Sequence, residues 1–109
     1  MKLPPASVIP PEKLTHYLLV PQARADKSAF LARAGYTMAS HAALLSDLRA
    51  QILSEEVTPA GENQFGRYYE IRATLRGPNG VTLRVKTVWM TEHLSGETRF
   101  ITLLPDKSK

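Results

Sequence analysis

The sequence predicts an α+β fold in which two or three N-terminal helices pack on one face of a C-terminal antiparallel meander sheet of three to four strands. Helical periodicity occurs in the first half of the 109-residue chain, and alternation of apolar and polar residues occurs in the second half. Turn residues separate the alternating segments. Helices followed by strands are typical of α+β proteins, whereas a parallel α/β fold alternates the two.

Three helices are expected. The first covers about residues 12–20 and stops at Pro21. The second follows Asp26 as N-cap and ends at Gly35, which suits the left-handed position after a helix. The third follows another N-cap, Ser40. Their apolar stripes are Leu14, Tyr17 and Leu18; Phe30, Leu31 and Ala34; and Leu44, Leu45, Leu48 and Ile52.

The chain is expected to form one domain, since typical domains run about 100–150 residues. Residues 1–11 are rich in proline and should form an extended arm. Residues 12–105 form the single α+β domain, and residues 106–109 form a basic tail. Residues 54–66 are expected to be a polar loop between the last helix and the first strand.

The first two strands can be placed in register. Odd positions are apolar and even positions polar in residues 69–76, and odd positions are apolar in residues 81–85. Gly77-Pro78-Asn79-Gly80 suits a type I turn followed by a left-handed glycine in a G1 bulge. The apolar pairs are then Leu75–Leu83 and Ala73–Val85, with Ile71 opposite Thr87. A two-residue turn would pair apolar with polar residues, so the bulged turn is favoured.

The other face of this hairpin is basic. The same register gives the pairs Arg76–Thr82, Thr74–Arg84 and Arg72–Lys86. Like charges directly opposite each other destabilise a sheet unless something negative lies beside them, and Glu70 is the one nearby offset. Three interpretations stay open: carboxylates from the tail or a loop neutralise the cluster, the side chains extend into water, or the face binds a polyanion.

Residues 87–105 are expected to form the last hairpin. Consecutive apolar residues interrupt its alternation, namely Val88, Trp89 and Met90, and then Phe100 and Ile101. This pattern predicts central strands that are covered on both faces at one end of the sheet. Trp89 and Phe100 could stack on bases, although filling the core is the commoner role for either residue.

Composition narrows the chemistry. Fourteen Lys and Arg against ten Asp and Glu give a net charge of +4, which favours a polyanionic partner. The chain has no Cys, its three His residues lack metal-ligand spacing, and it has no glycine-rich phosphate loop, so neither a metal nor a cofactor is expected. No apolar run approaches the roughly 20 residues of a membrane span. A cytoplasmic protein without a membrane partner is therefore expected.

What remains is a set of Lys, Arg, Thr and His side chains, which suits metal-free cleavage of RNA. The RNA 2′-OH supplies the nucleophile, so the protein need only supply an acid, a base and cations. His16 is the acid–base candidate, and Lys13 lies one turn away on the same helix face. Lys27 could contact a phosphate. A surface role for His16 and a solvated Lys27 are the alternatives.

The candidate residues divide by role. The catalytic candidates are His16, Lys86, Thr87, Arg99 and Thr102, and the substrate-binding candidates are Lys13, Lys27, Arg72, Arg84 and Trp89. Among them, the cations would hold phosphate, the two threonines would orient it by hydrogen bonds, and the tryptophan would stack on a base.

Five segments in order carry a resemblance to a known family: KLTHYLL (13–19), KSAFLARAGY (27–36), GRYYEIRATLRGPNG (66–80), VKTVWM (85–90) and TRFITLLP (98–105). With them the chain resembles an uncharacterised bacterial domain, a domain of unknown function that occurs alone and in larger, adhesin-like proteins. The resemblance covers most of the chain from Lys13 to Pro105. It implies a family and no activity.

Two short patterns carry a more distant similarity. Lys13-x-x-His16 and Thr87-x-Trp89 are similar to the Lys-x-x-His and Ser-x-Trp of colicin D-type tRNA nucleases, with Thr in place of Ser. Those enzymes belong to the toxin ribonucleases of the barnase–EndoU–colicin–RelE kind, which pack helices on an antiparallel sheet and cut RNA on its open face. The similarity implies a tRNA-like RNA partner.

The sequence therefore predicts an RNA-binding protein acting as a metal-independent, toxin-type endoribonuclease. The alternative is a non-catalytic interaction module that binds an acidic partner, such as an immunity or antitoxin-like protein or an accessory protein of a phage or mobile element. Whether the chain has a cognate protein partner or forms homo-oligomers is left open.

Overall fold

The computed structural model describes residues 1–21 and 27–106. Within these residues, three helical segments and a short 3-10 turn precede a four-stranded antiparallel sheet, in which neighbouring strands follow the order of the chain. The predicted α+β class, with N-terminal helices and a C-terminal meander, is confirmed. None of the helices in the described ranges is long and apolar enough to cross a membrane.

The helices lie close to their predicted positions. Helix α1 combines α-helical Pro11–Lys13 with π-helical Leu14–Leu18, α2 is Lys27–Ala32, and α3 combines α-helical His41–Asp47 with π-helical Leu48–Ile52. Proline suits the first position of α1, where its missing N–H has no intrahelical partner to lose. Every side chain of the predicted apolar stripes is buried or packs half-buried against the core. Asp26, the expected N-cap of α2, lies outside the described residues.

Helix α2 ends as its glycine predicts. Gly35 has a φ of 91°, in the left-handed region that costs glycine little. The N–H of Tyr36 donates to the carbonyl of Leu31 at 3.2 Å, and that of Gly35 donates to Ala32 at 3.0 Å. This pair of bonds is a Schellman motif, which satisfies carbonyls left without partners at the helix end.

Ser40 occupies the predicted N-cap position of α3, but its side chain does not cap that helix. A 3-10 turn, Met38–Ser40, precedes α3, and Thr37 caps that turn through a capping box with Ser40. The N–H of Thr37 donates to Ser40 Oγ at 2.8 Å, and the Ser40 hydroxyl donates to the carbonyl of Gly35 at 3.2 Å. Because this preceding turn uses the Ser40 oxygen, the side chain makes no capping bond to α3.

The sheet has one strand that the sequence did not predict. The strands are β1 Thr58–Glu62, β2 Gly66–Arg76, β3 Thr82–Glu92 and β4 Thr98–Pro105. Residues 54–66 are therefore not entirely a loop, since β1 pairs antiparallel with β2 and has an irregularity between Pro59 and Gly61. Proline and glycine disfavour a central strand but are tolerated at a sheet edge, which is where β1 lies.

The register of β2 and β3 is confirmed. Leu75 pairs with Leu83, Ala73 with Val85 and Ile71 with Thr87, and the basic pairs follow as predicted. The N–H of Gly80 donates to Gly77 at 3.0 Å, and the N–H of Gly77 donates to Val81 at 3.0 Å. Gly80 has a φ of 87°, so the turn is the predicted type I turn with a G1 bulge.

Strand β4 departs from regular pairing by one residue. Its register runs Trp89–Phe100 and then Val88–Thr102. Ile101 is therefore an extra residue, and the bulge lets both Phe100 and Leu103 be buried although three positions separate them. The predicted central position is confirmed for β3 and is wrong for β4, which lies at the end of the sheet. The bulge explains its consecutive apolar residues instead.

The core lies between the helices and one face of the sheet. On that face Trp89 packs edge-to-face against Phe100, with ring centroids 5.4 Å apart. The buried helical side chains belong to the same hydrophobic cluster. The even-numbered side chains of β2 and β3 point to the opposite face, which we call the outer face.

The first ten residues pack against the domain. Leu3 and Ile9 are buried in the core cluster. The N–H of Val8 donates to the carbonyl of Thr98, and the N–H of Phe100 donates to Val8, both at 2.8 Å. This segment therefore pairs with one end of the free edge of β4.

Candidate functional site

Four cations of the outer face form what we call the basic strip: Arg72, Arg76, Arg84 and Lys86. They come from β2 and β3, and the register places Arg72 directly opposite Lys86. The three arginines are exposed, and Lys86 is half-buried. Alternation along the two strands sends these side chains away from the core, so the hairpin presents them on one surface.

Carboxylates partly neutralise the basic strip. Arg72 Nη1 lies 3.1 Å from Asp106 Oδ1, and its Nη2 lies 3.6 Å from Glu70 Oε1. Asp106 follows β4 directly, and its backbone N–H donates to the carbonyl of Arg84 at 2.9 Å. The tail thus supplies one of the carboxylates that the sequence left as an alternative.

The neutralisation does not extend to the whole strip. Within residues 1–21 and 27–106, neither Arg84 nor Lys86 has a carboxylate within 4.0 Å, and Arg76 also has none. Among the described residues, two carboxylates, Glu70 and Asp106, lie within 4.0 Å of the strip, and both contact Arg72. The excess positive charge is on an exposed sheet surface, where it is available to an anionic partner.

A groove runs beside Arg84. One part, of about 470 Å³, lies between the end of α2 and the sheet, and a second part, of about 340 Å³, lies over β2 and β3. Both parts are lined by Arg84 and Asp106. Arg33, which stands over the ring of Phe30 at 5.9 Å, lines the first part, and Arg72 lines the second. The groove therefore adds a fourth arginine, Arg33, and an aromatic ring next to the three arginines of the strip.

Arg99 lies apart from the strip. It pairs with Met90 near the far end of β3, four residues beyond Lys86, which corresponds to about 14 Å along the strand. Its Nη2 contacts Glu97 at 2.6 Å and Glu92 at 3.2 Å. Two carboxylates therefore already neutralise the charge that the sequence assigned to phosphate.

Thr87 and Trp89 belong to the core, which corrects their expected roles at an open face. Both are fully buried. The indole Nε1 of Trp89 donates to Thr87 Oγ1 at 2.8 Å, and the Thr87 hydroxyl donates to the carbonyl of Ile71 at 3.3 Å. The threonine thus satisfies the indole in the interior, and neither side chain can reach a ligand on the outer face.

Three side chains from separate segments meet in what we call the Lys27 cluster: Tyr17, Lys27 and Thr102. Lys27 Nζ donates to Tyr17 Oη at 2.6 Å and to Thr102 Oγ1 at 2.8 Å. The ammonium also lies 4.7 Å from the centre of the Tyr17 ring. Lys27 is only 9% exposed, so the expected alternative of a solvated lysine is wrong.

The Lys27 cluster alters the acidity of its phenol. The hydrogen bond from Lys27, and then that from Thr102, lower the pKa of Tyr17, and the positive charges of Lys27 and Lys13 act in the same direction. Partial burial of the phenol opposes them. Each of these contacts favours the phenolate over the neutral phenol.

Three of the predicted site residues, Lys13, Lys27 and Thr102, thus surround a tyrosine that the sequence had assigned to the core stripe. His16 is exposed on the same helix. The sequence did indicate that Tyr17 lies near Lys13, because it follows Lys13 by four residues and is therefore on the same helix face. Its contact with Thr102 had no signal, because the two are 85 positions apart.

The remaining histidines have local partners. His41 Nδ1 lies 3.0 Å from the carbonyl of Met38, and His93 Nε2 lies 3.2 Å from Glu62 and 2.9 Å from the carbonyl of Asn63. Within the described part of the chain, no three metal-ligating side chains gather in one place. The candidate chemistry therefore lies in the basic strip and the Lys27 cluster.

Comparison with known proteins gives a family. A family model described as "Domain of unknown function (DUF6883)" matches residues 2–107, which is nearly the whole chain. No curated protein and no solved structure matches the chain. The resemblance to an uncharacterised domain is thereby confirmed.

Proposed function

We propose that this chain, which belongs to the DUF6883 family of domains of unknown function, binds single-stranded RNA through the basic strip on the outer face of its sheet. One observation carries the proposal. Arg84 and Lys86 stand two positions apart on the same face of β3, and neither has a carboxylate partner in the described part of the chain. Such a row of cations can follow a phosphate backbone.

The surface around the strip suits a single strand better than a duplex. A sheet face is broad and gently curved, and single-stranded RNA can lay its bases on aromatic side chains that project from such a face. Tyr68 is half-buried on the outer face opposite Met90, and Phe30 lines the groove beside Arg84. Phe30 provides a stacking partner beside Arg84, and Tyr68 provides a second one about 14 Å along β3 from Lys86.

The sequence also led to the more specific hypothesis that the protein cleaves the RNA it binds. Cleavage needs an acid and a base beside the phosphate. His16 is on the helical layer, Thr87 is in the core, and Arg99 is ion-paired near the far end of β3. This distribution supports binding by Arg84 and Lys86 more than cleavage by the predicted set.

The experiment is titration of a fluorescent single-stranded RNA with the purified protein, followed by fluorescence anisotropy between about 50 and 200 mM salt. The Arg84→Ala/Lys86→Ala double variant should weaken binding and flatten the plot of log affinity against log salt by about 1.4, since each lost phosphate contact removes about 0.7. EDTA is present throughout, and gel analysis of the recovered RNA reports any cleavage.

Arg67→Ala is the matched control. Arg67 is an exposed cation of β2 that pairs with Glu62 and lies outside the strip, so its loss should leave the affinity unchanged. Binding that is insensitive to salt, or equal losses in the double variant and the control, would refute the proposal.

A second function from another class has an observation in its favour. Val88, Met90 and Leu104 are half-buried apolar residues on the same outer face. A sheet face with apolar and basic residues suits an acidic protein partner. In this alternative the chain is a non-catalytic interaction module that binds such a partner. This alternative predicts no affinity for RNA, together with binding to an acidic protein that is lost in the same double variant.

A further inference from the structure

We propose that the Lys27 cluster binds a phosphate group, independently of the basic strip. Its three members come from α1, the start of α2 and β4. The ammonium of Lys27 joins the other two, at 2.6 Å from Tyr17 Oη and 2.8 Å from Thr102 Oγ1. The site is thus a convergence of three segments around one buried cation.

Charge is the first argument. Removing an ammonium from water is costly, and proteins usually offset the cost with a carboxylate. Among the described residues, Lys27 Nζ has no carboxylate within 4.0 Å, and its contacts there are the hydroxyls of Tyr17 and Thr102 and the Tyr17 ring. A methionine would fill this space at less cost, so packing alone does not explain a lysine here.

Hydrogen-bonding capacity is the second argument. A lysine ammonium carries three N–H donors and no acceptor. Tyr17 and Thr102 accept two of these donors, and no other acceptor among residues 1–21 and 27–106 takes the third N–H of Lys27. An oxygen of a phosphate group would take that donor and supply the missing negative charge in one contact.

Access and a second cation complete the argument. Tyr17 and Lys13 are half-buried, so the cluster can be reached from the surface beside α1. Lys13 is close enough to act electrostatically on the Tyr17 phenol. In the described part of the chain it has no carboxylate partner of its own. A ligand with two negative charges, such as phosphate, suits a site with two lysines.

The test uses inorganic phosphate as the probe. The Tm of the full chain is measured against increasing phosphate at fixed ionic strength, with sodium chloride as the balancing salt, and calorimetric titration gives the Kd. Wild type should gain Tm with phosphate, because a ligand that binds only the native state stabilises it. Lys27→Met should lose this gain and weaken the Kd about tenfold or more, as expected for loss of a charge-assisted hydrogen bond.

Variants separate this site from a structural role and from the strip. Without phosphate, Lys27→Met should have a Tm equal to or above that of wild type. If Lys27→Met does not fold, the Tm response to phosphate is measured in Thr102→Val instead. Arg84→Ala should retain the phosphate response. A wild-type Tm that responds equally to phosphate and chloride overturns the proposal, as does a phosphate response that survives in Lys27→Met or Thr102→Val.

A second experiment decides whether the bound phosphate belongs to the end of a nucleic acid or to a small free ligand. RNA strands with a 5′-phosphate and with a 5′-hydroxyl are compared in the Arg84→Ala/Lys86→Ala background. Tighter binding of the phosphorylated strand, lost on adding Lys27→Met, assigns the site to a terminal phosphate of nucleic acid. Equal binding of the two strands, together with a response to inorganic phosphate, assigns it to a small free ligand.

Discussion

The guanidinium of Arg72 lies 3.1 Å from the carboxylate of Asp106, the last residue that the structure describes. The same arginine stands directly opposite Lys86 on the next strand. The carboxylate therefore lies where two like charges face each other, and it reduces their repulsion. It also lowers the positive potential of the surface to which we assign RNA binding.

Replacing Asp106 with Asn should therefore strengthen RNA binding, in the opposite direction to loss of Arg84. The variant should also lose about 1–3 kcal/mol of stability, because the Asp106 side chain is only 8% exposed and accepts a hydrogen bond from the charged Arg72. Anisotropy titration and thermal denaturation of the same preparation measure the two effects. Weaker RNA binding in this variant would contradict a role for the strip's net charge.

Thr87→Val should destabilise the protein by about 1–3 kcal/mol, because it leaves the buried indole N–H of Trp89 without its acceptor. Affinity for RNA should not change, since Thr87 faces the core. Urea denaturation followed by fluorescence of the single tryptophan measures the cost. Thr87→Ser keeps the hydroxyl and should restore most of the lost stability. A change in affinity at full stability would return Thr87 to the binding site.

Tyr17 should ionise at a lower pH than an ordinary tyrosine, because the hydrogen bond from Lys27 favours its phenolate. Ultraviolet titration of tyrosinate in wild type and in Tyr17→Phe isolates this group. Tyr36 does not interfere, since burial and then the Asp47 carboxylate raise its pKa. In Lys27→Met the Tyr17 pKa should rise towards 10.0, and an unchanged titration would contradict the contact.

The lowered pKa of Tyr17 also affects stability. Between the native pKa and the unfolded value of 10.0, the unfolded chain holds a proton that the native chain has released. Stability from this group therefore rises with pH through that window and is lost as pH falls through the native pKa. Urea denaturation of wild type and Tyr17→Phe at several alkaline pH values should show a difference that grows with pH.

Gly77→Ala should destabilise the protein by about 3 kcal/mol, the upper part of the usual range for overpacking. A Cβ at Gly77 would lie 1.9 Å from the backbone oxygen of Ala34, and neither backbone can move freely. Gly80→Ala is the comparison: its φ of 87° disfavours alanine by about 1–2 kcal/mol, although a Cβ there meets nothing within 4 Å. Urea denaturation should therefore rank Gly77→Ala as the more damaging change.

The local parts of the fold could be predicted from the sequence, and the contacts between distant segments could not. Alternation and the Gly77–Gly80 turn determine the β2–β3 register because both signals lie within a few residues. The same alternation placed Thr87 opposite Ile71 on the apolar face, so its grouping with Lys86 contradicted a pattern already present. Strand β1 was missed because its proline and glycine carry the composition of a loop.

The two candidate sites show the same division. The basic strip follows from register alone, and the sequence predicted its members. Asp106 and Tyr17, by contrast, gain their importance from partners 34 and 85 positions away, Arg72 and Thr102. No periodicity in a short window contains such a contact, because it depends on how the helices and the chain end settle against the finished sheet.

The extra residue in β4 has an effect beyond the core. Before Ile101 the inward positions of the strand are even-numbered, as Phe100 shows, and after it they are odd-numbered, as Leu103 shows. This change of parity sends Leu104 outward and Pro105 inward, so that Asp106 leaves the sheet on the outer side. A one-residue adjustment made for packing thus determines the charge on the opposite surface of the protein.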